Sequence, residues 1–189
     1  MVFRISIALV AALVLLAGLA PGPFNDVVQA ALGEVIRGAG WMYLLVVFMT
    51  LVFLAYLAFG RFANLRIGGE DAEPEFSRAS WLSMLFAAGM GIGLVFWGAA
   101  EPVSHLVKPP EGLTPESMEA ARASMRYAFF HWGLHPWSIY ALIGLSMAWF
   151  QYNRNGRGLI SDMLQPVIGR HHRSWVGHTI NIAAVVATA

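Results

Sequence analysis

The stretch Trp81 to Pro102, WLSMLFAAGMGIGLVFWGAAEP, restricts the fold more than any other part of the chain. It is long and apolar enough to cross a bilayer, yet Gly89, Gly91 and Gly93 stand at alternate positions in its middle. Backbone polar groups in hydrocarbon must be paired. A glycine-loosened segment at that depth is stable only where protein or a cavity covers it. Two readings of the glycines stay open from spacing alone. Gly89 and Gly93, four apart, suit close helix packing. Alternate glycines also lower helix propensity by about 1 kcal/mol each relative to Ala. An unwound segment would offer carbonyls to a cation and amides to a carboxylate. A nucleotide loop is excluded, because the pattern is not G-x-G-x-x-G and no strand precedes it.

The rest of the chain places this stretch in an all-α integral membrane protein. Hydrophobic residues make up 58% and charged residues only 12%, about half the charged share of a soluble domain. The apolar runs are unbroken rather than alternating, which favours helices over a barrel. The net charge of +1 and the lack of a basic run give no basis for nucleic-acid binding. With no cysteine, disulfides and thiolate chemistry are excluded.

Five apolar runs are expected as helices: Ile5–Pro23, Trp41–Phe59, Trp81–Ala100, Tyr127–Phe150 and Trp175–Ala189. The first competes with a secretory leader, but its apolar region is long and no clean A-x-A site follows, so a spanning helix is favoured. The last is shorter than the ~20 residues needed to span. Residues 24–40 read as a polar-leaning connection, 61–80 as a charged cytoplasmic loop, and 105–122 as a connection with a turn at Pro109–Gly112. Thr114 reads as an N-cap with Pro115 at the first helical position. Pro102 reads as the end of the third helix, and Leu159–Ile168 as a patch for the membrane surface. The organisation is then residues 1–60 with two helices, the loop 61–80, and 81–189 with the third, fourth and part of a fifth. Placing the N-terminus in the cytoplasm puts eight of the Lys and Arg residues inside and four outside, in keeping with the positive-inside rule.

The fourth run holds the second chemical feature, FHWGLHPWSIY from Phe130 to Tyr140. On one continuous helix Trp132, Trp137 and Tyr140 would share a broad side, and Pro136 would kink it. Three electron-rich rings suit a quaternary ammonium group, which donates no hydrogen bonds and is held by ring quadrupoles at about 0.5–2 kcal/mol per contact. An interfacial aromatic belt or plain core packing explains the same rings. His131 and His135 lie four apart, but two histidines without a nearby carboxylate make an incomplete metal site, so packed, hydrogen-bonded histidines are expected. Glu101 reads as an interfacial residue in front of Pro102, with a buried ion-pathway role less favoured. Ser83, Ser138 and Ser146 lack nucleophile geometry and suit bonds to helix backbone; no enzyme is indicated.

GGEDAEPEFS from Gly68 to Ser77, the stretch Ala87 to Pro102 and the run Phe130 to Tyr140 together resemble the betaine/carnitine/choline transporter family, in order and with similar spacing. The resemblance covers nearly all of the chain from Trp41 onward. It implies the first helices, one to five of an expected twelve, of a leucine-transporter-like fold. The third helix would start the first of two inverted five-helix repeats and be unwound at its glycines. It further implies that Trp132, Trp137 and Tyr140, with a tryptophan from a later helix, box a trimethylammonium group. Met90, Gly91 and Ile92 would face the substrate carboxylate. Carbonyls of Ala87 and Met90 would contribute to one sodium site, and the Thr188 hydroxyl to a second. No organic cofactor is implied; sodium is the expected coupling ion, and many relatives are homotrimers. The expectation is a sodium-coupled symporter of a betaine-like osmolyte in the cytoplasmic membrane. Proton-coupled choline uptake and sodium-independent carnitine exchange are the alternatives within the family, and a non-transporting membrane scaffold is the alternative outside it. The second repeat has no counterpart in these residues, so the 189-residue polypeptide alone is expected not to transport.

Overall fold

The computed structural model describes residues 1–89 and 91–188; the side chains at 92 and 111 also fall outside the description. Among the described residues there are helices and no strand. The helices are α1 (Val2–Leu19), α2 (Pro21–Phe59), α3 (Arg78–Gly89), α4 (Ile92–Val107), α5 (Met118–Trp132), α6 (Leu134–Arg154), α7 (Ile160–Met163), α8 (Gln165–Ile168) and α9 (Trp175–Thr188). Two of them, α1 and α2, are each long and apolar enough to cross a membrane; there are three such spans if α3 and α4 count as one bent span.

Burial is inverted relative to a water-soluble protein. The buried apolar residues among those described are Ala120 and Ala123, whereas Leu13, Leu16, Leu44, Phe48 and Phe53 are exposed along α1 and α2. Such surfaces are stable only against hydrocarbon, because continuous apolar faces of this size aggregate in water.

The chain divides into two compact units, Met1–Glu70 with Ala141–Ala189, and Asp71–Tyr140. In the first, α1 packs on α2 and α9. The expected connection at 24–40 is instead helical, part of the 39-residue α2. Its polarity does not break a helix. Ala, Leu, Glu and Arg are good helix formers, Arg37 pairs with Glu34 one turn away, and Pro21 occupies the first turn, where no amide is required. At 1.5 Å per residue α2 is about 58 Å long, close to twice the ~30 Å hydrocarbon thickness. Its polar first half can therefore extend past the bilayer core. In the same unit, buried Asn181 of α9 accepts from the Ser161 amide (3.1 Å) and donates to the Ser161 hydroxyl (3.0 Å), which pins α7 to α9. Gly177 admits no side chain, since a Cβ there would lie 1.8 Å from the carbonyl oxygen of His172.

In the second unit α4 packs along α5, and α5 buries the small residues Ala120, Ala123 and Ser124, which permit close helix approach. Three expected boundaries are corrected here. Pro102 lies inside α4, which runs on to Val107. A proline mid-helix removes one amide donor without always ending the helix. The start at Thr114 moves to Ser117, whose hydroxyl accepts from the Ala120 amide at 3.1 Å. Glu116 between them has φ +58°, which no right-handed helix accommodates. Finally, the run 127–150 is not one helix. It breaks at Gly133, whose backbone is extended (φ −86°, ψ −151°), and a Cβ there would sit 2.4 Å from the Phe129 carbonyl oxygen. Pro136 falls in the first turn of α6 and makes no break of its own.

Candidate functional site

The site is built on two interruptions within the second unit. The first lies between α3 and α4, whose axes are bent by 42°. Gly91 caps α4 in an extended conformation (φ −63°, ψ 176°), and its carbonyl accepts from Val95 at 3.2 Å. Spacing alone left packing and unwinding open for these glycines. The break between Gly89 and Ile92 accords with a departure from helix. Met90, expected to contribute both a substrate contact and a sodium ligand, lies outside the described residues, as does the side chain of Ile92. Ala87 lies in the last turn of α3, where helix carbonyls lack intrahelical donors. A chain break of this kind turns the negative end of one half-helix dipole and the positive end of the other toward the gap.

The second interruption is Gly133. It leaves the last carbonyls of α5 without helical donors, and the Trp137 indole N–H fills the role by donating to the Trp132 carbonyl at 3.0 Å. That bond ties α6 back to α5 and orients the Trp137 ring. Tyr140, one turn further on, stands with its ring centroid 5.7 Å from that of Trp137 and tilted by 42°. The two interruptions meet. A Cβ added at Gly89 would lie 3.4 Å from Cη2 of Trp137, so the indole rests against the glycine end of α3.

Trp132 is placed differently from the expected single-helix arrangement, since it ends α5 while Trp137 and Tyr140 belong to α6. Its indole N–H donates to Glu101 Oε2 at 2.6 Å. The other carboxylate oxygen, Oε1, bonds His105 Nε2 at 3.3 Å and His131 Nδ1. Glu101 is only 14% exposed. A carboxylate so placed is tolerable because three donors surround it. The reading of Glu101 as a plain interfacial residue missed this hub. The signal was its i, i+4 spacing to His105, hidden by taking Pro102 as the end of the helix. His131 is hydrogen-bonded but exposed rather than packed, and the His135 ring centroid lies 4.7 Å from that of Phe130, tilted by 44°. Ser138 is buried and donates to the His135 carbonyl at 2.6 Å, a helix-backbone bond. The Thr188 hydroxyl likewise donates to helix carbonyls, those of Ala184 and Val185, both at 3.0 Å; it belongs to the other compact unit.

The Trp137 and Tyr140 rings thus stand beside the end of α3. The family model described as "BCCT, betaine/carnitine/choline family transporter" matches residues 1–189. The chain belongs to this family. It is 45% identical over 188 residues to the glycine betaine transporter OpuD of Bacillus subtilis, covering 99% of this chain and 36% of that protein. It is 42% identical over 188 residues to the ectoine/hydroxyectoine transporter of Virgibacillus pantothenticus (99% and 37%). It is 40% identical over 182 residues to the high-affinity choline transport protein of Escherichia coli (94% and 27%). The chain thus spans about a third of the length of these curated relatives, all of them transporters and none named as an enzyme.

Proposed function

We propose that this chain supplies the first part of a secondary active transporter for a quaternary ammonium compound such as glycine betaine, working by sodium symport. The observation that carries the reading is the approach of Trp137, with Tyr140 beside it, to Gly89 at the α3–α4 break. The two rings offer π-faces to a trimethylammonium group. The N-terminal turn of α4, from Gly91 and Ile92 onward, supports binding of the substrate carboxylate through amides and the helix dipole. The Ala87 carbonyl, in the last turn of α3, supports a sodium ion there; family resemblance alone adds Met90 to that site and Thr188 to a second sodium site. Trp132 is added to the cage by family resemblance alone, its indole N–H being held by Glu101. Relatives carry the names of betaine, ectoine and choline transporters, and a zwitterion fits best the combination of rings and helix amides. The cytoplasmic membrane, an N-terminus on the cytoplasmic side and a homotrimer are part of the same proposal. Lys and Arg distribution supports the orientation, and resemblance alone the trimer.

The test is binding and uptake of labelled glycine betaine by the full-length polypeptide that carries this sequence. Trp137→Ala and Tyr140→Ala should each weaken affinity by about 2- to 30-fold, the range of one cation–π contact, while Trp137→Phe retains part of it. Unchanged affinity and rate in both alanine variants would overturn the cage.

A further inference from the structure

Glu101, His105 and His131 bring three metal-ligating groups to one point. Glu101 and His105 lie one turn apart on α4, and His131 reaches in from the last turn of α5. One ligand atom from each lies within 4.8 Å of the other two. We propose that these residues form a binding site for a divalent transition-metal ion of the zinc type, which joins α4 to α5 beneath Trp132.

The donor set is two imidazoles and one carboxylate, a combination that zinc takes with a water in its fourth position. Ligand atoms around a tetrahedral zinc ion are about 3.3 Å apart, from bond lengths of about 2.0–2.1 Å. Glu101 Oε1 and His105 Nε2 already stand at 3.3 Å. The widest separation, at most 4.8 Å, has to narrow, and the Glu101–His131 contact has to widen, for all three to ligate one ion. The carboxylate is also held from behind. The indole N–H of Trp132 occupies Oε2 at 2.6 Å, leaving Oε1 to face the histidines. Outer hydrogen bonds of this kind orient metal ligands and raise their affinity. His131 is 45% exposed, which gives an ion an entry path. A hydrogen-bonded knot without metal would satisfy the carboxylate too, so the two arrangements are separated by experiment.

The full-length polypeptide carrying this sequence is purified in detergent, stripped with a chelator, and titrated with Co2+ and then Zn2+. One Co2+ per chain is expected, with the strong visible absorption of a four- or five-coordinate ion, displaced by Zn2+. His105→Ala and His131→Ala should abolish stoichiometric binding, Trp132→Phe should weaken it by about 10- to 100-fold, and His171→Ala and His178→Ala should leave it unchanged. His131→Cys keeps a ligand at that position and should add a thiolate-to-cobalt charge-transfer band absent from the parent. This variant serves even where an alanine variant fails to fold. Absence of a stoichiometric ion in the parent, binding that survives the paired removal of His105 and His131, or no new band in a folded His131→Cys protein would each overturn the site.

Discussion

Single residues decide whether the two halves of the candidate site fit together. Gly89 faces the Trp137 ring with room for one methyl group at ordinary contact distance, 3.4 Å. Gly89→Ala should therefore change betaine affinity by about 1 kcal/mol or less, about fivefold. Gly89→Leu must push the indole aside, an overpacking that costs about 1–3 kcal/mol, and should lower affinity by tenfold or more. Equal effects from the two variants, measured by equilibrium binding, would mean that Trp137 does not line the site. Residue types at these positions were legible in the sequence: the glycine triplet and the rings of 130–140 stand out by composition alone. Their partners were not. Glu101 looked peripheral because only the fold brings His131 and Trp132 of α5 onto it.

At the scale of elements, the apolar runs marked where helices lie but not where they break. Polar residues 24–40 proved helical, since side-chain polarity reports on environment while the backbone responds to propensity and steric fit. Gly133, not Pro136, divides α5 from α6, because the first turn of a helix accommodates proline whereas the Phe129 carbonyl leaves no room for a Cβ at 133. Gly133→Ala should destabilise the protein by about 1–3 kcal/mol and displace Trp132 from Trp137, lowering both melting temperature and betaine affinity. An unchanged melting temperature would show that the break does not depend on glycine. The connection after α6 offers a second test. Arg157 donates to Asp162 through its backbone amide (2.7 Å) and guanidinium (2.7 and 3.3 Å). Asp162 is buried, and the side-chain hydrogen bonds from Arg157 hold its carboxyl below the usual range despite the opposing effect of burial. A lowered folded-state value means that the stabilisation is complete above the unfolded carboxyl value of about 3.9 and disappears as pH falls through the folded value below it. With Arg157 half exposed and screened, the pair contributes about 1–2 kcal/mol. Asp162→Asn should lower the melting temperature at neutral pH, and the gap from the parent should shrink below about pH 4. A gap that stays constant with pH would refute the charge-based account.

For the whole molecule, the proposed sodium coupling carries its own test. Ala87 lies in the last turn of a half-helix whose last carbonyls lack helical donors, and a bare apolar surface would make such carbonyls costly. Under the proposed symport, a sodium ion would partner these carbonyls and give a reason for breaking an otherwise good spanning helix. A proton cannot replace it there, because a carbonyl oxygen does not titrate in the physiological range, so proton coupling would need a carboxylate or histidine instead. Initial uptake of labelled glycine betaine by the full-length polypeptide should therefore fall by at least about tenfold, 1.4 kcal/mol, when external sodium is replaced by potassium. Replacement of Ala87 by a bulkier residue, Ala87→Leu, should raise the sodium concentration needed for half-maximal uptake more than it raises the betaine concentration. Uptake that ignores sodium but collapses with a protonophore would move the coupling away from the α3 carbonyls and onto a titratable group.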